Sequence, residues 1–327
     1  MTNDKDPRSP WSRARPGGNP PPKNPPARGA GPRPPLSQDE HKRERARAHI
    51  DEPRKRSAPS VDARSTEEPV SRATPREQRL YGLNACLAAF AKRPDALRKV
   101  YLVEARIPAL KAVLAWCVAQ RIGYRVVEEA DLDKLTASRH HEGVCFDLQR
   151  PPPIQLEALL ADLPKAPAAS LLLWLDGVGN PHNLGALLRS AAHFGVHAVI
   201  TPRAAGLDVS GAAARVAEGA AEVVPVVQAE NATAAIALLH AQGYAFAATV
   251  PRDGSPLYGC ALPLRLVLVF GAEGEGMGAG MVEAADLRLR IPGSGAIESL
   301  NVAASVAVLL GEFWRQHGAS LDVSSPL

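Results

Sequence analysis

Among its 327 residues the chain has only four cysteines, Cys86, Cys117, Cys145 and Cys260, with no CxxC pair and no histidine at metal-ligand spacing. That pattern excludes a disulfide framework and a thiolate metal centre, and it predicts reduced cysteines in a core. No apolar run approaches the roughly 18 residues that a membrane-spanning helix needs, and the opening MTNDKDPRSP lacks the apolar centre of a secretory signal. The expectation is a soluble cytoplasmic protein with no membrane and no metal. Two nucleotide fingerprints are also missing. There is no G-x-G-x-x-G after a strand and no G-K-[ST], which argues against a nicotinamide-dependent oxidoreductase and a P-loop enzyme.

What is present is unevenly distributed. Residues 1–79 hold 18 Lys/Arg against 11 Asp/Glu, whereas residues 80–327 hold 20 against 23, so the basicity lies at the N-terminal end. The same segment carries 15 of the 30 prolines, in runs such as NPPPKNPPARGAGPRPP, and few aromatic or β-branched residues. Such a composition cannot bury enough apolar surface to offset the entropy of ordering, so residues 1–76 are expected to be a disordered basic tail. A tail of that charge suits nucleic acid, because Lys and Arg displace the counterions condensed on phosphates; a solubilising role is the plainer reading.

Order is expected from near Leu80. A helical pattern in YGLNACLAAFAKR, a strand in KVYLVEA, a helix in LKAVLAWCVAQR, a strand in YRVVE, a short helix around ADLDKL and a strand ending HHEGVCFDL make a small α/β unit. A Pro- and Ala-rich linker with one amphipathic stretch follows. The next unit opens with SLLLWLDGV, a nearly continuous apolar run of the kind buried on both faces of a parallel sheet. Strands then alternate with helices through HAVITP, EVVPVVQ, AFAATV, LRLVLVFG and LRLRIP, which predicts α/β architecture with helices covering a parallel sheet. Ligands in such sheets bind beyond the carboxyl ends of the strands. Three loops fall there: GNPHN, GAEGEGMG and GSGAIES.

Each loop has a limited chemistry. The acidic Glu273 and Glu275 in the second loop disfavour a polyphosphate and favour a cationic or adenosine-bearing ligand. In the third, Ser299 is positioned to cap the last helix, and Asn301 is expected inside its first turn, where asparagine is a mediocre helix former. That helix carries small residues at Ala303, Ala304, Ala307 and Gly311, a stripe that suits close packing in a core or against a second copy. After the first loop, Leu184, Leu187, Leu188, Ala191 and Phe194 form a buried stripe, while His182, Gly185, Ala186, Arg189 and His193 fall on the other face. Arg189 beside Gly185 and Ala186 leaves room for a ligand at its guanidinium, which suits a phosphate or a developing oxyanion. Taken alone, that arginine reads as an ordinary surface charge.

Together, LDGVGNPHNLGALLRSAAHFGV, LVLVFGAEGEGM and IPGSGAIESLNVAASVAVLLGE resemble the three motifs of the SpoU (TrmH) family of RNA 2′-O-methyltransferases. The stretch from YGLNA to HHEGVCF is similar to the ribosomal-protein-L30e-like RNA-binding domain that precedes the catalytic domain in ribosomal RNA members. The resemblance implies a SPOUT parallel sheet with a C-terminal trefoil knot, working as a homodimer. The implied boundaries are a tail at 1–76, an L30e-like substrate-binding domain at 77–150, a linker at 151–168, a methyltransferase domain at 169–318 and a C-terminal tail at 319–327. S-adenosyl-L-methionine is the implied cofactor, resting on Gly271, Glu273, Gly276, Ile291, Pro292 and Leu300. Arg189 matches the family's catalytic arginine, and Asn183, Glu273, Ser299 and Asn301 match polar positions of the same site. The implied reaction is ribose 2′-O-methylation of RNA, ribosomal ahead of transfer RNA; the alternative is an RNA-binding or ribosome-assembly protein that kept the fold and lost activity. That alternative is motivated by the long basic tail and by Asn180, which stands where many members have aspartate before the proline.

Overall fold

The computed structural model describes residues 77–321 apart from Glu273 and Glu275. The expected basic tail at 1–76 and the last six residues lie outside the described residues.

The first sheet is built from β1 (Glu77–Tyr81), α1 (Leu83–Lys92), β2 (Leu97–Leu102), α2 (Lys111–Gln120), β3 (Gly123–Val126), α3 (Glu129–Thr136) and β4 (Val144–Gln149). Its strand order is β1-β4-β2-β3, with β4 antiparallel to both neighbours and β3 parallel to β2. The helices α1 and α2 close one face over Leu80, Val100, Leu102 and Phe146. Strand β1 was invisible to periodicity because EQRLY buries only its last two residues. Cys86, Cys117 and Cys145 are buried here as free thiols, as expected, and burial pushes Cys145 up to about 12, so it stays protonated and unreactive near neutrality.

The connection to the second sheet contains α4 (Leu156–Asp162), whose Leu156, Leu159 and Leu160 are buried. Then follow β5 (Ser170–Asp176), α5 (Pro181–His193), β6 (Ala198–Pro202), α6 (Gly211–Ala217), β7 (Val226–Ala229), α7 (Ala232–Ala241), β8 (Ala245–Thr249), β9 (Ser255–Pro256), β10 (Arg265–Gly271), α8 (Ala279–Glu283), β11 (Leu287–Arg290) and α9 (Val302–His317). The strands order as β7-β6-β5-β10-β8-β11-β9, and every registered pair is parallel.

The apolar runs explain this arrangement. Alternate residues of β5 and β10 enter opposite cores: Leu171, Leu173, Leu175, Leu266, Leu268 and Phe270 meet α5, α6 and α9, while Leu172, Trp174, Val267 and Val269 meet α4, α7 and α8. Each fully buried leucine contributes roughly 1.5–3 kcal/mol of transfer free energy, so the two central strands carry much of the driving force. Leu321, in the segment expected to be a tail, is also buried against the first of these cores.

Two details of the sequence reading change. The last helix begins at Val302, and its cap is Asn301, whose side chain accepts from the Ala303 amide at 2.8 Å. Ser299 is exposed two residues upstream and caps nothing. Gly185 is buried, not open: a Cβ there would lie 2.5 Å from the Ala213 carbonyl oxygen and 2.7 Å from Val216 Cβ. The glycine therefore lets α5 approach the backbone of α6, and it provides no ligand space beside Arg189. Periodicity missed this because glycine, having no side chain, carries no hydrophobic signature.

Candidate active site

The register of the two central strands sets the site. Gly271, the last residue of β10, pairs with Asp176, the last of β5, so the loops leaving both strands start side by side. The Gly278 amide donates to Asp176 Oδ2 at 2.8 Å, stitching the second loop to the first. Gly177, at φ 85°, turns the chain away so tightly that a Cβ there would sit 3.1 Å from Ala272 Cβ.

Within the second loop, Ala272 and Gly276 exchange hydrogen bonds at 2.9 and 3.0 Å. Gly271 faces this bridge; an added Cβ would lie 2.6 Å from the Gly276 carbonyl oxygen and nearer still to Gly276 C and Met277 N. The loop is therefore folded against bare backbone. Glu273 lies outside the described residues.

The first loop hands over to α5 through Asn180, whose Oδ1 accepts from the His182 amide at 2.9 Å, with Pro181 at the first helical position. Asparagine caps as well as aspartate does, so the departure from the family pattern leaves this helix start intact. Half-buried Asn183 follows, and its Oδ1 lies 3.4 Å from Asn301 Nδ2 at the cap of α9. Two of the expected polar residues, from segments 118 residues apart, thus meet. Arg189 is exposed on α5 and forms no ion pair with a described carboxylate.

The third loop leaves β11 with Ile291 and Pro292 half-buried and residues 293–300 exposed, Leu300 among them. A fourth loop, after β8, escaped the sequence reading. Its Arg252 pairs with Glu298 of the third loop at 3.3 Å, and Gly254 accepts from Arg290 Nε at 3.1 Å. In VPRDG the proline and glycine mark a turn but not its neighbours, so its place at the same edge follows from strand order alone.

Chemically, the first three loops offer backbone groups, amides and apolar surface. None of the segments 177–182, 271–278 and 291–301 contains a lysine or arginine, and Arg252 beside them is paired with Glu298, so these loops themselves bring no cation to a polyphosphate. A nucleoside joined to a positively charged group fits this set, and Gly274, Gly276, Gly293 and Gly295 face open space where such a ligand could lie against the main chain. Among the described residues no cluster of His, Cys, Asp and Glu could hold a metal, and no helix is long and apolar enough to cross a membrane.

Comparisons with known proteins agree with this architecture. The SpoU rRNA Methylase family model matches residues 170–311, and the model for RNA 2′-O ribose methyltransferase substrate binding matches residues 79–154. The chain is 39% identical over 252 residues to the uncharacterized tRNA/rRNA methyltransferase YfiF of Escherichia coli O157:H7, covering 77% of this chain and 72% of that one. It is 35% identical over 256 residues to the 23S rRNA (guanosine-2′-O-)-methyltransferase RlmB of Nitrosomonas europaea, covering 76% and 97%. Its fold is that of the SpoU methyltransferase AviRb from Streptomyces viridochromogenes, solved in complex with AdoMet, at a TM-score of 0.62 and 19% identity over 75% of this chain and 92% of that one. The α/β chain with its parallel sheet belongs to the SpoU rRNA methylase family.

Proposed function

We propose that this chain transfers a methyl group from S-adenosyl-L-methionine to a ribose 2′-hydroxyl of RNA, ribosomal RNA ahead of transfer RNA, in the cytoplasm. The observation that carries the reading is the convergence at one sheet edge of Gly271, Asn183 and Asn301, with Arg189 exposed on the same helix as Asn183. The two RNA methyltransferase relatives, the AdoMet complex of the AviRb fold and the matched substrate-binding segment support it.

Bound at this edge, the cofactor supplies a methyl group on a sulfonium sulfur. The main chain at Gly271, Gly276, Ile291 and Pro292, with the exposed Leu300, would hold its adenosine. Glu273 belongs to the same loop. Arg189, a fixed cation with five N–H donors and no acceptor, would hold an RNA phosphate and stabilise negative charge growing on the ribose oxygen as its proton passes to solvent water. Asn183, Ser299 and Asn301 would orient the ribose; the amide of Asn183 and that of Asn301 hold each other's side chains in place.

A homodimer is part of the proposal. The stripe Ala303, Ala304, Ala307 and Gly311 is half-buried or exposed, and a Cβ at Gly311 would meet only Phe194 Cζ at 3.8 Å. That face has room for a second copy. The trefoil knot is proposed on the strand order, in which β10 enters between β5 and β8.

Methylation of RNA from cells lacking the gene, by wild type and Arg189→Ala, tests the assignment. Loss of a donor to developing oxyanion charge costs about 10²–10³ in kcat, so the variant should be slower by that factor. Equal rates would remove Arg189 from the mechanism. A folded chain that takes up no S-adenosylmethionine in calorimetric titration would instead be an RNA-binding or ribosome-assembly protein.

A further inference from the structure

Over the described residues both sheets belong to one compact unit, and α6 is an element they share. Its sequence, GAAARVA, is nearly all small residues. Ala213 and Ala217 are buried in the core beneath the seven-stranded sheet, while Ala214 is buried in the core of the four-stranded sheet with Leu80 and Cys86. Ala212 packs against Tyr81 and Leu132. A helix of seven residues thus has one face in each core.

Backbone meets backbone on both of its sides. The carbonyl of Ala213 touches α5 where Gly185 lacks a side chain. On the other side, a Cβ at Gly211 would lie 2.6 Å from the Arg79 carbonyl oxygen of β1. Helix α5 carries Arg189, so α6 and the turn Ala220–Glu222 that follows it lie between the first sheet and the proposed catalytic helix. Contacts of this kind have no soft layer of long side chains through which the two bodies could shift.

Charged pairs border this junction. Arg93, at the end of α1, grips Glu222 with two bonds, Nε to Oε2 at 2.9 Å and Nη2 to Oε1 at 2.8 Å, and donates a third to the Gln149 carbonyl at 2.9 Å. Both side chains of the pair are mostly buried. Arg215 of α6 pairs with Glu142 at 3.1 Å and donates to the His140 carbonyl at 3.0 Å, while Glu142 Oε2 accepts from the Leu83 amide at 2.9 Å. Asn84 donates to Glu218 at 2.6 Å. Arg150, just ahead of the linker, is tied as well, through its pair with Asp208. Two-bond guanidinium–carboxylate contacts fix orientation as well as distance.

We propose that α6 and its charged border hold the four-stranded unit at one set distance from Arg189, making Arg93, Glu222, Arg215 and Glu142 positioning residues for substrate choice. The inference rests on the function proposed above. An RNA element held by the small unit then presents one particular ribose at the catalytic edge, chosen by distance along the RNA and not by contacts at the reacting nucleotide.

The test uses the full chain with Cys260→Ser and two spin labels, at Val118→Cys on α2 and Tyr258→Cys after β9, both exposed positions. Diluted with excess unlabelled chain, so that each labelled chain is read alone, the parent should give one narrow intrachain distance distribution. Glu222→Arg should broaden it, and the exchange Arg93→Glu with Glu222→Arg should narrow it again. On RNA stripped of protein from cells lacking the gene, Glu222→Arg should raise KM about tenfold, equivalent to ~1.4 kcal/mol, or move the methylated site. Affinity for S-adenosylmethionine should not change, and the exchange variant should recover the parent's KM and site. A broad distribution in the parent overturns the docking. A narrow parent with the same KM and site in Glu222→Arg overturns the positioning role. A narrow parent inert toward RNA removes the proposed reaction and the positioning role with it, while the docked geometry stands.

Discussion

Replacing Gly271 by alanine tests whether the loop after β10 must rest on bare backbone. The new Cβ would lie 2.6 Å from the Gly276 carbonyl oxygen and nearer to Gly276 C and Met277 N. Carbon contacts settle near ~3.5–4.0 Å, so the loop would have to move outward by about 1 Å. All three obstructing atoms are main chain, and no rotamer change relieves them. Two outcomes compete: the overlap persists at a cost of ~1–3 kcal/mol, or the Ala272–Gly276 pair opens and forfeits two bonds worth about 0.5–1.5 kcal/mol each. Either way, a loss of ~1–3 kcal/mol is expected, measured as a lower urea midpoint at unchanged slope. The displaced loop is where adenosine is proposed to sit, so S-adenosylmethionine affinity should fall at least about tenfold by calorimetry, or ~1.4 kcal/mol. A variant with wild-type affinity and an unshifted midpoint would refute the idea that this close approach shapes the site.

Asn180→Asp should leave activity unchanged and raise stability by ~0.3–1 kcal/mol, since aspartate caps equally well and its charge favours a helix N-terminus; a large gain in kcat would mean that the family's carboxylate does more than cap. Glu312 gives a pH signature. The Arg315 guanidinium and the Gln316 amide hold its carboxyl at about 2, below the usual 4.5. A carboxyl depressed in the folded state stabilises it above the unfolded value, so this contribution should be lost as pH falls from about 4.5 toward about 2. Glu312→Gln should flatten the fall in thermal midpoint across that window, and an equally steep fall in the variant would count against the assignment. Gln316 also holds the Leu262 amide at 2.9 Å and the Cys260 carbonyl at 2.9 Å, so the segment before β10 is anchored through the same carboxyl.

The sequence by itself determined the parallel α/β architecture, because SLLLWLD and RLVLVFG are apolar on both faces and only a sheet covered on both sides can bury them. It also determined the buried stripe of α5, whose leucines recur at helical spacing. The three motifs carried the family resemblance, since their chemistry sits in short contiguous stretches. Strand order was not legible, because hydrophobic pattern says which residues are buried but not which strand lies beside which. That order alone brought Asp176 next to Gly271, added the loop of Arg252 to the same edge, and set Asn183 against Asn301. Tertiary contact also reassigned two residues. Gly185, which pattern placed on an open face, is the point where α5 meets α6, and Asn301, which propensity could not explain, is the cap of α9. The sharing of α6 between two cores was the least readable feature, because a run of alanines has the same appearance in sequence whether one face is buried or two.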